Sequence, residues 1–97
     1  MEDPELAVLR IEIDKIDAHI VELLAQRFKI TNQVGLLKAQ KKLSVIDPER
    51  EARQAQRYAE LANECGMKPQ VVQNLFRGII DEVVSNHRAI AMQAAFQ

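Results

Sequence analysis

The feature that most constrains this chain is one apolar series in its first half. Leu9, Ile13, Ile16, Ile20, Leu23, Arg27, Ile30, Val34 and Leu37 follow one another in alternating steps of four and three. That alternation is the heptad seam of an α-helix, apolar at every position except Arg27. Asp3-Pro4-Glu5 supplies the start signal: a capping Asp, Pro at the first helical position and an acid in the first turn. Only Gly35 weakens the helix before Lys41, so the spacing predicts a helix over 4–41. About 38 residues at roughly 1.5 Å each give nearly 57 Å. A compact domain of this size has a radius of gyration of only about 13 Å. The helix is therefore expected to outrun its own domain while its seam stays apolar, and a second copy of the chain is the economical cover. A parallel pair would face Arg27 against Arg27, so an antiparallel or crossing arrangement is expected.

Asp47-Pro48-Glu49 repeats the start signal and opens a second helix, expected over 48–65 and stopped by Gly66. Its face is thin: Ala52, Ala55, Ala59 and Ala62 with Tyr58 and Leu61. Pro69 opens a third helix, expected over 69–94, with Val72, Phe76, Ile79, Val83, His87 and Ile90 on one side. No strand pair or hairpin signal is visible. The fold class expected is all-α: residues 1–97 as one domain of three helices, the first very long, in an intertwined homodimer.

The 97 residues are 47% hydrophobic and carry a net charge of −1, so the chain can fold and shows no basic excess of the kind nucleic acid demands. Any anion site must come from local placement of Arg and Lys. The one cysteine, Cys65, allows no disulfide within a chain and suits a reducing compartment. With no His near it in sequence, it reads as a structural residue before a nucleophile. No apolar run is long enough to span a membrane, and the acidic N-terminus is unlike a secretory signal; a cytoplasmic protein is expected. There is no metal-ligand spacing, no Gly-rich phosphate loop and no Ser/His/Asp set, so neither metal nor cofactor is expected.

The cations carry the functional signal. Arg27, inside an apolar seam, either pairs with an acid such as Asp81 or Glu82 or holds a ligand anion, for which its bidentate geometry is suited. Lys38, eleven residues on, shares its face about 16 Å along the axis. Alone it reads as a solvated lysine favoured by the helix dipole. Arg10 lies about 25 Å from Arg27 on the same helix, too far for one small molecule, but an antiparallel partner would bring it close. Asp47, Arg50 and Glu51 cluster at the start of the second helix, where Asp47 reads as a cap and a cation such as Arg50 is disfavoured by the dipole. His87 occupies a seam position, where a satisfied core histidine is the commoner occupant. Together these residues describe a cationic, enclosed site with no evident nucleophile.

Leu9-Arg10, Ile13-Asp14-Lys15-Ile16-Asp17, Leu23-Leu24-Ala25-Gln26-Arg27, Val34-Gly35-Leu36-Leu37-Lys38 and Asp47-Pro48-Glu49-Arg50-Glu51 resemble, in order and spacing, the all-α class of chorismate mutases in its monofunctional bacterial form. Phe76 to Ile80 is similar to that family's third helix. The resemblance implies a dianionic substrate, chorismate, rearranged to prephenate in one pericyclic step without a bond to protein. The enzyme's task is then to hold a chair-like conformer and to stabilise charge on the ether oxygen. By position, Arg10 of the partner chain and Arg27 would bind carboxylates, and Lys38 would contact the ether oxygen and a carboxylate. Asp47, mainly through its backbone, and Glu51 would hold the ring hydroxyl, with Arg50 supporting the groups around it. Two residues depart from the bacterial pattern. Val83 stands where a serine touches a carboxylate, which removes one hydrogen bond. His87 stands where a glutamine donates to the ether oxygen, a role an imidazole N–H can also fill.

Three other readings compete. An isochorismate pyruvate-lyase shares this fold, but its resemblance is weaker because Asp47 and Glu51 are present here. A mutase acting on aminodeoxychorismate is compatible with the same residues. A helical dimerisation module without activity explains the seam but not Arg10, Arg27, Lys38 and Arg50 at their spacings.

Overall fold

A computed structural model describes residues 1–96, and these form three α-helices with no strand among them. They are α1 (Pro4–Gln40), α2 (Pro48–Glu64) and α3 (Pro69–Ala95). Each begins at a proline in the first turn, where a missing N–H costs nothing and φ is already helical. Asp3 caps α1: its Oδ1 accepts from the backbone N–H groups of Glu5 and Leu6 at 2.9 and 3.1 Å. Asp47 caps α2 in the same way, its Oδ1 accepting from Arg50 N–H at 3.1 Å. At α3 the capping position is Lys68, which makes no side-chain cap bond.

Two of the helix ends follow one scheme. After α2, Gly66 adopts φ +71°, the Met67 N–H donates to the Ala62 carbonyl at 2.8 Å, and the Gly66 N–H to that of Asn63 at 3.2 Å. This is the Schellman pattern, with glycine at its left-handed position. The end of α1 repeats it with a lysine. Lys42 has φ +56°, Leu43 N–H reaches the Lys38 carbonyl at 2.8 Å, and Lys42 N–H reaches Ala39 at 3.3 Å. The left-handed turn at Lys42 ends α1 at Gln40, one residue short of the expected Lys41. The equivalent turn at Gly66 ends α2 at Glu64 rather than residue 65. α3 runs one residue past 94, to Ala95.

The chain divides into two compact units, Met1–Thr31 and the part from Asn32 onward. The first is the N-terminal stretch of α1. Its apolar residues stand open to solvent, with Leu9, Ile13, Ile16, Ile20 and Leu23 each between 47% and 60% exposed. The second holds the end of α1, α2 and α3, and it carries the packed core. Tyr58 and Ala62 of α2 meet Val72 of α3, with Phe76 and Ile80 against them. The Tyr58 and Phe76 rings stack at 4.0 Å between centroids and 13° between planes. Such a pair contributes about 0.5–1.5 kcal/mol beyond area burial. Of the α2 alanines only Ala62 is buried in this core, with Ala59 half-buried and Ala52 and Ala55 exposed. Gln73 adds a cross-helix bond from Nε2 to the Ala55 carbonyl at 3.1 Å. Among the described residues no helix is long and apolar enough to cross a membrane.

Candidate active site

The residues singled out in the sequence fall in both units. In Met1–Thr31, Arg10 is exposed and its guanidinium pairs with Glu2 near the start of α1. Arg27, further along the same helix, is half-buried, with Nη1 screened from solvent. That burial is what a cation in an apolar seam must accept, and Arg tolerates it better than Lys because its charge is spread and weakly hydrated.

In the unit from Asn32 onward, three groups of residues are organised separately. Lys38, in the last turn of α1, is half-buried, and its Nζ donates to the Val45 carbonyl at 3.3 Å. The helix dipole favours a cation there. The left-handed turn at Lys42 folds the chain back so that Val45 comes within reach. Lys38 is therefore held by the turn that follows it, not solvated as its sequence position alone suggests.

The second group is the first turn of α2. Asp47 spends its side chain on the cap, and its backbone carbonyl accepts from Glu51 N–H at 3.0 Å. Arg50 is exposed, whereas Glu51 is half-buried. Glu51 lines two open clefts beside α3, of about 380 and 460 Å³. Asp81 lines both as well. Tyr58, Gln73 and Arg77 are among the others lining the first, and Ile46, Ser85 and Arg88 among those lining the second. Ser85 and Arg88 carry no signal in the sequence, because they fall off the apolar face of α3 by which that helix is recognised.

The third group is His87 on α3. It is only 4% exposed and the one buried polar side chain among the described residues. Its inward register with Val72 and Phe76 follows from the helical spacing. Its neighbour does not: the imidazole lies on Gly35 of α1, where a Cβ would stand 2.6 Å from Cδ2. In the sequence Gly35 reads as a weak point in the helix and as part of the segment resembling the family, with nothing to tie it to His87. Val83, one turn before His87, is half-buried. Among the described residues, no group of His, Cys, Asp or Glu is arranged to hold a metal ion.

The unit from Asn32 onward carries a lysine, a carboxylate and an imidazole on separate elements. A lysine and an imidazole can each donate to the oxygens of an anion, and a carboxylate can accept from a hydroxyl. The chain matches the family model of chorismate mutase type II over residues 9–88, which takes in every one of these residues and both arginines of α1. Its relatives include the T-protein of Enterobacter agglomerans, 32% identical over 78 residues covering 80% of this chain and 21% of that protein. The bifunctional chorismate mutase/prephenate dehydratase of Buchnera aphidicola subsp. Acyrthosiphon pisum is 31% identical over 85 residues, 88% of this chain and 22% of that one. The protein of the same name from Aquifex aeolicus is 35% identical over 89 residues, 89% and 25% respectively. The chain thus spans a quarter or less of the length of these relatives. A match running from Leu9 through the first turn of α2 to Arg88 on α3 leaves no element of the fold outside it. This chain belongs to the chorismate mutase type II family.

Proposed function

We propose that the protein is a chorismate mutase, converting chorismate to prephenate in a homodimer whose sites draw on both chains. The observation that carries this is the family match over 9–88, which spans Arg10, Arg27, Lys38, Asp47, Arg50, Glu51, Val83 and His87 in one register. In this reading Arg27 and the partner chain's Arg10 bind the two carboxylates. Lys38 meets the ether oxygen and a carboxylate, and His87 donates an N–H to the ether oxygen. Asp47, through its backbone, and Glu51 hold the ring hydroxyl, and Arg50 supports the surrounding charges. Val83 borders the site without a hydrogen bond. As the ether C–O bond breaks and the new C–C bond forms, charge grows on the departing oxygen. Fixed donors there stabilise the transition state more than the ground state. No proton moves and no cofactor takes part.

Burial supports the dimer. The buried apolar residues described are Tyr58, Ala62 and Val72, all on α2 and α3, while the seam of α1 from Leu9 to Leu23 stays open. A 97-residue chain with so small a core is marginal alone, and a second α1 laid antiparallel would cover the seam. The exposed thiol of Cys65 fits a reducing cytoplasm, where we place the enzyme.

The test is a spectrophotometric assay of chorismate loss with product identification. Prephenate should form from chorismate much faster than salicylate and pyruvate form from isochorismate. Release of salicylate and pyruvate as the faster reaction would assign the chain to the lyases instead. An aminodeoxychorismate preference would show in the same assay with that substrate.

A further inference from the structure

The contact between Gly35 and His87 has a geometry that points beyond the residues expected to touch substrate. Gly35 is buried within α1, and its α-carbon faces the Cδ2–Nε2 edge of the His87 imidazole. A Cβ built there would lie 2.6 Å from Cδ2, 3.1 Å from Nε2 and 3.0 Å from Cδ1 of Ile90. An unstrained carbon–carbon contact is about 3.5–4.0 Å. The ring cannot simply swing aside, because His87 is 4% exposed and Ile90 flanks the same spot. A methyl group at residue 35 would therefore displace the imidazole or push α3 away from α1. Gly78, in the middle of α3, is the internal contrast: nothing lies within 4 Å of where its Cβ would be.

Gly35 also stands three residues before Lys38, so the two share a face of α1. Lys38 is already anchored through its Nζ to Val45. The glycine therefore seats the imidazole on the helix face that presents the lysine. We propose that Gly35 is a positioning residue: its missing side chain fixes the depth of His87, and through it the N–H aimed at the ether oxygen. This rests on the mutase reading given above. It assigns the glycine a purpose other than flexibility, since the backbone at residue 35 is ordinary helix.

The experiment compares Gly35→Ala, His87→Ala, the double variant and Gly78→Ala in the full chain. Gly35→Ala should lower kcat for prephenate formation on the order of tenfold or more, the scale of sub-ångström to ångström misplacement, with little change in KM. Gly78→Ala should match the parent. In the His87→Ala background the Gly35→Ala change should add no loss, because the space left by the ring accepts the methyl group. A full additional loss in the double variant, or a parental kcat in Gly35→Ala, overturns the proposal. If Gly35→Ala alone does not fold, the double variant decides: folded with the His87→Ala rate supports the seating, unfolded overturns it. NMR of the imidazoles separates this from the mutase reading itself. The chain has two histidines, so the Cδ2–H signal of His87 should move in Gly35→Ala while that of His19 stays. An unmoved His87 signal overturns the seating whatever the activity. Absence of prephenate formation by the parent protein overturns the mutase reading instead.

Discussion

At the scale of single residues, the two helix ends built alike make a controlled comparison. Gly66 sits in the left-handed region without cost, whereas Lys42 sits there against the clash of its Cβ with the neighbouring carbonyl. Lys42→Gly is expected to raise the unfolding free energy by about 0.5–1 kcal/mol, and Gly66→Ala to lower it by about 1 kcal/mol. Denaturant midpoints at one fixed protein concentration check both. Gly66 was legible as a helix stop because glycine is the usual occupant of this position. Lys42 was not, because nothing in a lysine signals positive φ; only the hydrogen bonds to Lys38 and Ala39 reveal it. His87 tests the chemistry. His87→Gln keeps a donor and should retain substantial activity, while His87→Leu should cut kcat about one hundredfold or more, the scale of a lost oxyanion donor. KM should change less, since the bond strengthens mainly in the transition state. Near-parental turnover in a folded Leu variant would make His87 a packing residue only.

At the scale of elements, the starts of α1 and α2 were readable from Asp-Pro-Glu in each case, because both the cap and the proline act locally. The packing faces were readable only in part. Val72, Phe76 and His87 point inward as the helical spacing of α3 requires, but Ile80 joins them from outside the expected stripe. α3 meets α2 through Val72, Phe76 and Ile80 and the end of α1 through His87 and Ile90, so it buries an arc wider than a single row of residues. The thin alanine face of α2 contributes only Ala62 to the buried core, beside the Tyr58–Phe76 stack. Asp47 serves two purposes at once, capping α2 and, in the proposed site, offering its backbone to the ring hydroxyl. Asp47→Ala should therefore lower stability by about 1 kcal/mol, whereas Asp47→Ser should keep the cap. If the backbone is what matters, the Ser variant should keep most of the prephenate-forming rate and the Ala variant should lose more. Thermal melts alongside initial rates distinguish the two, and equal rates in both variants would detach the cap from the site.

At the scale of the whole molecule, the expectation that reaches furthest is the shared site. Arg10→Ala and Arg27→Ala should each nearly abolish turnover. Mixed dimers of the two should recover part of it, since each holds one site with both lesions and one with neither. Sedimentation at micromolar concentration should give about twice the chain mass of 11.0 kDa. Confirmed subunit exchange with no recovery would remove Arg10 from across the interface. In the proposed dimer, which chain supplies which arginine is a property of the assembly. The sequence offers it only through the length of one helix and the awkward charge in its seam.

The buried core belongs to α2 and α3, which are neighbours in sequence, while the seam of α1 from Leu9 to Leu23 finds no cover within its own unit. Time then enters the account of stability. The contacts between α2 and α3 are local enough to form quickly and independently of dilution. In the proposed dimer, covering the seam requires two chains to meet, so its rate should scale with their concentration. Refolding from denaturant should show a fast phase indifferent to protein concentration, when Tyr58 meets Phe76. A slower phase should accelerate in proportion to concentration, and prephenate-forming activity should return only with that phase. A chain newly made and scarce would on this account be helical before it is an enzyme.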